Sequence, residues 1–209
     1  MPLPYNLTEA LETLARADDV LAGLIARHAP PPGELPVLQS PFEALAKSII
    51  YQQLSTTAAR TIYGRVQALF PGGTLTPDAF LACDEALLRS AGMSRAKIAS
   101  VRDLATHILD GTIPPLATLQ TLDDEAIIER LTCVRGIGRW TADMFLLFRL
   151  GRPDVLPATD LGIRKGFMHT FGLDELPAPR TILAYGTRWR PYRSLASWYL
   201  WRALDAETS

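Results

Sequence analysis

Two features of this sequence have residue types and spacing that could do chemistry together: an anion seat and a carboxylate. Residues 131 to 141 read Leu-Thr-Cys-Val-Arg-Gly-Ile-Gly-Arg-Trp-Thr, with Gly136 and Gly138 between a helical pattern ending near Leu131 and another starting near Arg139. That is a helix, a tight hairpin and a helix. Glycines open backbone angles closed to other residues and let a second molecule approach the chain. Amides freed at the start of the second helix make a seat for an anion such as a phosphate. Asp160 follows, at the head of the next helical segment. A carboxylate in such a position is held ionised by the amides and the helix dipole. It can stabilise a developing sugar cation and orient a water, as in glycoside cleavage. The same position suits an ordinary N-cap, and one geometry can serve both.

Other reactive arrangements fall away. His28, His107 and His169 are too scattered for a metal site or a Ser-His-Asp relay. The Gly136-Ile137-Gly138 run lacks the spacing and lysine of a nucleotide-binding P-loop. Cys83 and Cys133 supply neither a disulfide framework nor the four thiolates of an iron–sulfur cluster. No apolar run is long enough to span a bilayer, and the start lacks the regions of a signal peptide. The expectation is a cytoplasmic, nucleoid-associated protein of bacterial type with no membrane partner. Net charge is −1, but residues 131–209 hold eleven basic against seven acidic groups, whereas residues 1–40 hold two against five. Such asymmetry points to a polyanion or to a solvated basic face.

The elements that must position these residues are helical throughout. Apolar residues recur at helical spacing from Thr8 to His28, with a break at Asp18. Ser40-Pro41-Phe42-Glu43 has the composition of a capping box, and its helix runs to the corner Gln52-Gln53-Leu54. Taken alone, that corner reads as an ordinary turn with Leu54 tucked inward. Thr76, Asp84, Ser94 and Asp123 cap further helices. Arg95 and Lys97 stand in a first helical turn, where cations oppose the dipole, so an external anion is expected there. Trp140, Met144, Leu147 and Phe148 share a helix face, which favours a core position for Trp140. Three of the four tryptophans fall in the last 21 residues. The chain is long enough for one sizeable core or two small lobes sharing a cleft. The expected architecture is all-α, with lobe A at about 1–40 plus 161–209 and lobe B at about 41–160.

Val134-Arg135-Gly136-Ile137-Gly138-Arg139-Trp140-Thr141-Ala142, together with Asp154-Val155-Leu156-Pro157-Ala158-Thr159-Asp160-Leu161-Gly162, resembles the helix-hairpin-helix DNA glycosylase superfamily. Within it, the 3-methyladenine DNA glycosylase II (AlkA-like) branch is the most similar. The likeness extends to Ser48-Ile49-Ile50-Tyr51-Gln52-Gln53-Leu54-Ser55 and Gly92-Met93-Ser94-Arg95-Ala96-Lys97, so it covers roughly residues 18 to 202.

The resemblance implies a monomeric base excision repair enzyme acting on double-stranded DNA with damaged bases. Asp160 matches the catalytic aspartate. Gly136, Gly138, Arg139, Thr141, Arg95 and Lys97 belong to the DNA-binding surface. Gln53 and Leu54 match the corner that enters the minor groove, which reverses the inward reading of Leu54. Trp140, Tyr192 and Met144 fall at base-pocket positions, with Met144 where relatives can carry a tyrosine. No cofactor is required, although carbonyls of Thr132, Val134 and Gly136 correspond to a structural Na+ or K+ site. Bifunctional members carry a lysine at the position of Trp140, and a tryptophan cannot act as an amine nucleophile. The expected reaction is therefore hydrolysis of the N-glycosidic bond of alkylated purines, of the 3-methyladenine and 7-methylguanine type, leaving an abasic site. The rivals are the same scaffold acting on deaminated or etheno-adducted bases, and a non-catalytic lesion-binding protein.

Overall fold

Short polar caps, each followed by an apolar helical stripe, divide this chain into helices. A computed structural model describes residues 2–36, 38 and 40–205. Among them the helices in chain order are α1 (Leu7–Ala17), α2 (Asp19–Arg27), α3 (Pro41–Tyr51) and α4 (Thr56–Gln67). Next come α5 (Pro77–Ala82), α6 (Glu85–Ser90), α7 (Arg95–Leu109), α8 (Leu116–Thr121) and α9 (Asp124–Thr132). The last are α10 (Arg139–Phe145), α11 (Leu161–Thr170), α12 (Pro179–Tyr185) and α13 (Arg193–Arg202). No strand forms among the described residues, and the all-α expectation holds. No described helix is long and apolar enough to cross a membrane.

The expected caps are in place. Asp18, Ser40, Thr76, Asp84, Ser94, Asp123 and Asp160 each accept a backbone N–H of the helix that they open. Only half of the expected capping box forms at α3. Ser40 Oγ accepts the Glu43 amide, but the Glu43 carboxylate turns away to accept the Tyr63 hydroxyl at 3.0 Å.

The chain divides into two units, Leu38–Ala142 and Met1–Val37 with Asp143–Ser209. In the central unit α7 packs against α3 and α5, burying Phe42, Leu45, Ile49, Phe80, Val101 and Leu104. In the terminal unit α1 packs on α2 and α11 on α13, around Leu14, Leu21, Ile163, Phe167, Trp189 and Tyr199. The expected lobe boundary at Asp160 is corrected to a point inside α10, between Ala142 and Asp143. The cause is α13, which binds the connector before Asp160. Ser194 Oγ donates to the Arg152 carbonyl and accepts the Val155 amide, while Arg193 forks onto the Asp154 carboxylate at 2.6 and 3.0 Å. Residues 143–160 thus belong with the C-terminal helices.

Candidate functional site

Asp160 sits at the foot of that connector as the N-cap of α11, with extended backbone angles (φ −65°, ψ 130°). Its Oδ1 accepts the Ile163 amide at 2.8 Å and also the indole Nε1–H of Trp201 at 2.9 Å. Trp201 comes from α13, which lies close because α11 carries Gly162 and Gly166 on the facing side. A Cβ at Gly166 would collide with the Leu200 carbonyl, so helix backbones touch there.

On its other side Trp201 walls a cavity of about 300 Å³, lined with Tyr5, Phe148, Trp198 and the proline-rich segment around Leu35. Phe148 meets the Trp201 ring at 5.8 Å between centroids. A cavity of that size with aromatic walls suits a flat heterocycle. Arg149 and Arg152 stand at its edge.

None of the three residues expected at the base pocket, Trp140, Met144 and Tyr192, lines this cavity. Trp140 belongs to the central unit and is 47% exposed, which also overturns its reading as core. Tyr192 stands one ring behind, stacked at 5.7 Å on Tyr5. Met144 lies in the last turn of α10, just before a change in the backbone. The helix does not continue with α geometry after Phe145 but passes through a π turn over Leu146–Leu150. Such a turn changes the angular spacing of side chains and breaks the 3.6-residue stripe. Leu147 is consequently buried while Phe148 is 39% exposed, although both were expected on one face. The residues missed were Phe148, Trp201 and Tyr5. The crowding of tryptophans near the C-terminus was the available signal.

In the central unit, the hairpin forms as expected between α9 and α10. Its two glycines do different things. Gly136 takes φ +82° and has Ser100 Oγ 2.8 Å from where a Cβ would stand, so it is required by the turn itself. At Gly138 a Cβ would meet nothing within 4 Å, so its missing side chain leaves open surface. The Arg135 amide is held by the Asp103 carboxylate at 2.7 Å. Arg139 forks onto Glu125 at 2.7 and 2.9 Å, an exposed pair of small energetic worth. Thr141, expected on the DNA-binding surface, is buried because it faces the α3 corner.

That corner is strained. Gln53 has φ +58°, the one described non-glycine residue in the left-handed region. Leu54 beside it is 38% exposed, so the outward reading holds. Two neighbours brace the turn. Gln52 Nε2 donates to the Gly136 carbonyl at 2.9 Å, tying corner to hairpin. Lys97 Nζ donates to the carbonyls of Ile50 and Gln52 at 2.7 and 2.8 Å. The anionic partner expected for Lys97 is therefore supplied from within, by the carbonyl end of α3, and desolvation lowers its pKa. Arg95, two residues earlier, is exposed.

These features define a class. The chain belongs to the HhH-GPD superfamily of base excision DNA repair proteins, whose model matches residues 46–191. It is 37% identical over 165 residues to DNA-3-methyladenine glycosylase 1 of Schizosaccharomyces pombe, a match covering 78% of this chain and 72% of that one. The solved structure of S. pombe 3-methyladenine DNA glycosylase in complex with abasic DNA aligns with a TM-score of 0.82 at 34% identity, covering 93% of this chain and 95% of that one. A DNA-3-methyladenine glycosidase from Bacillus halodurans aligns with a TM-score of 0.85 at 35% identity, covering 95% and 90%.

Proposed function

We propose that this chain is a monofunctional DNA glycosylase of base excision repair that hydrolyses the N-glycosidic bond of alkylated purines. The observation that carries the reading is Asp160, a helix-capping carboxylate tied through Trp201 to an aromatic cavity. A purine alkylated at N3 or N7 carries positive charge, so its bond to the sugar is already weak. Electron-rich ring faces such as those of Phe148 and Trp201 attract such a cation. The C1′–N bond breaks with its electron pair leaving on the base, Asp160 stabilises the sugar cation, and water adds at C1′ as its proton passes through Asp160 to solvent.

Hydrolysis without strand cleavage follows from where the amines lie. The chain has three lysines, Lys47, Lys97 and Lys165, and none lines the cavity. Lys47 rests over the rings of Tyr51 and Tyr63, and Lys97 is committed to α3. Double-stranded DNA holding a damaged base is the partner, bound by a monomer. The hairpin grips its backbone, and Leu54 fills the gap left by the extruded nucleotide, whose flipping costs a few kcal/mol. The carbonyls of Thr132, Val134 and Gly136 fit a monovalent cation at the end of α9. Val134 and Gly136 each accept one hydrogen bond, from the Ile137 amide and from Gln52, and a carbonyl keeps a second lone pair. A cation there would add positive charge to the phosphate grip.

The decisive experiment is base release from methylated duplex DNA by the wild type and by Asp160→Asn. Release by the wild type and its loss in the variant, with DNA binding kept, is the expected result; undiminished release by Asp160→Asn would remove Asp160 from the mechanism. Strand scission by the wild type alone would contradict hydrolysis. Leu54→Ala should weaken binding to abasic-site DNA by about fivefold, the value of roughly 1 kcal/mol of lost apolar contact. Binding should weaken as salt rises, because the grip is on phosphates.

A further inference from the structure

We infer that Trp201 is a positioning residue for Asp160, and that Gly162 is glycine so that the indole can reach it. The inference rests on the glycosylase reading above. An N-cap needs only an amide donor, and Asp160 has one in Ile163. The terminal torsion of an aspartate is broad, so each further donor narrows the tilt of the carboxylate plane. The Trp201 N–H reaches the same Oδ1 from another helix, 41 residues on in sequence. Two donors from two directions fix where that oxygen lies and how the carboxylate plane turns about it.

The helix that brings Trp201 also fixes the approach to Asp160. Arg193, Ser194, Ser197 and Trp201 stand at positions one, two, five and nine of α13, a spacing that keeps them along one side. Arg193 holds the Asp154 carboxylate, Ser194 holds Arg152 and Val155, and Ser197 donates to the Val155 carbonyl. The connector is thus stitched along α13, and Trp201 closes the seam on Asp160 itself.

Gly162 marks the path of the indole. Its backbone is helical and needs no glycine, yet a Cβ there would stand 2.8 Å from Trp201 Cδ1 and 2.9 Å from both Trp201 Nε1 and Asp160 Oδ1. Real Cβ contacts essentially never come so close, and the obstacle would lie on the hydrogen bond itself.

The test separates the N–H from the ring. Trp201 is replaced by its benzothiophene isostere, in which sulfur takes the place of the N–H, and in parallel by Phe; Gly162→Ala is made alongside. Each protein is assayed for single-turnover base release from methylated duplex DNA, for affinity to DNA carrying a tetrahydrofuran abasic analogue, and for melting temperature. A hydrogen bond to a charged group supports a loss of about tenfold to a hundredfold in release for the isostere and for Gly162→Ala. Affinity and melting temperature of the isostere should stay at the wild-type values. Release by the isostere at the wild-type rate would overturn the inference alone, and so would a loss matched by equal loss of affinity or fold. A wild type that releases no base would overturn the glycosylase reading and this inference with it. The Trp201 indole NMR cross-peak needs no turnover: Asp160→Asn should shift it while that of Trp189 stays still, and an unmoved Trp201 signal would overturn the contact.

Discussion

The terminal unit builds the same small device twice. Asp18 and Asp160 are both helix N-caps, and each also accepts a tryptophan indole N–H, from Trp189 and Trp201 respectively, at 2.9 Å. Their settings differ. Asp18 is 6% exposed and spends both oxygens inward: Oδ1 on the amides of Val20 and Leu21, and Oδ2 on Trp189. Asp160 is half-buried, and the Ile163 and Trp201 donors both reach its Oδ1. Trp189 is fully buried, whereas Trp201 continues past the carboxylate into a cavity wall. One pair is a tie inside a core. The other joins a carboxylate to the wall of an aromatic cavity. The lesson is that an aspartate cap and an indole donor are not a catalytic signature; the cavity beside them makes the difference.

The comparison can be broken most directly by exchanging what each aspartate loses. Asp160→Asn should cut base release by about a hundredfold or more, the scale for removing one group that meets transition-state charge. Its melting temperature should barely move, since asparagine caps a helix as well as aspartate. Asp18→Ala should do the reverse. It strands two amides and an indole, at a cost of about 3 kcal/mol in urea or thermal unfolding, while activity per folded molecule is kept. If Asp18→Ala abolished release in a folded protein, the division of labour would fail. The smallest expected effect lies at high pH. Burial raises the Tyr5, Tyr199 and Tyr185 phenols above their usual 10.0, for Tyr185 with a further push from the Asp18 charge. A raised folded-state value means stability is complete below the unfolded pKa and is lost as pH climbs through the folded one, so stability should decline above pH ~10. Asp18→Asn should lessen the Tyr185 share of that decline, readable by phenolate absorbance.

Much of this was legible in the sequence, for identifiable reasons. Helix starts were, because a cap is a contact between residues two or three apart, as at Asp18, Ser40 and Asp160. Gly136 was, because its left-handed backbone is a local demand of the hairpin. The motif-level resemblance led to the superfamily that the family match bears out. Less was legible about the cavity. Periodicity carried from Trp140 through Met144 assumed an unbroken α-helix, and the π turn at Leu146–Leu150 rotated Phe148 into a wall instead. Lys97 was misread for a related reason: its partners, the carbonyls of Ile50 and Gln52, lie more than forty residues away.

By itself, then, the sequence determined the helices, the hairpin and the aspartate at the head of α11, since each depends on neighbours along the chain. The tertiary structure decided what that aspartate touches. Trp201 meets Asp160 across 41 residues only because Gly162 and Gly166 let two helix backbones close on each other, and no pattern along the chain records which distant side chain a gap will admit.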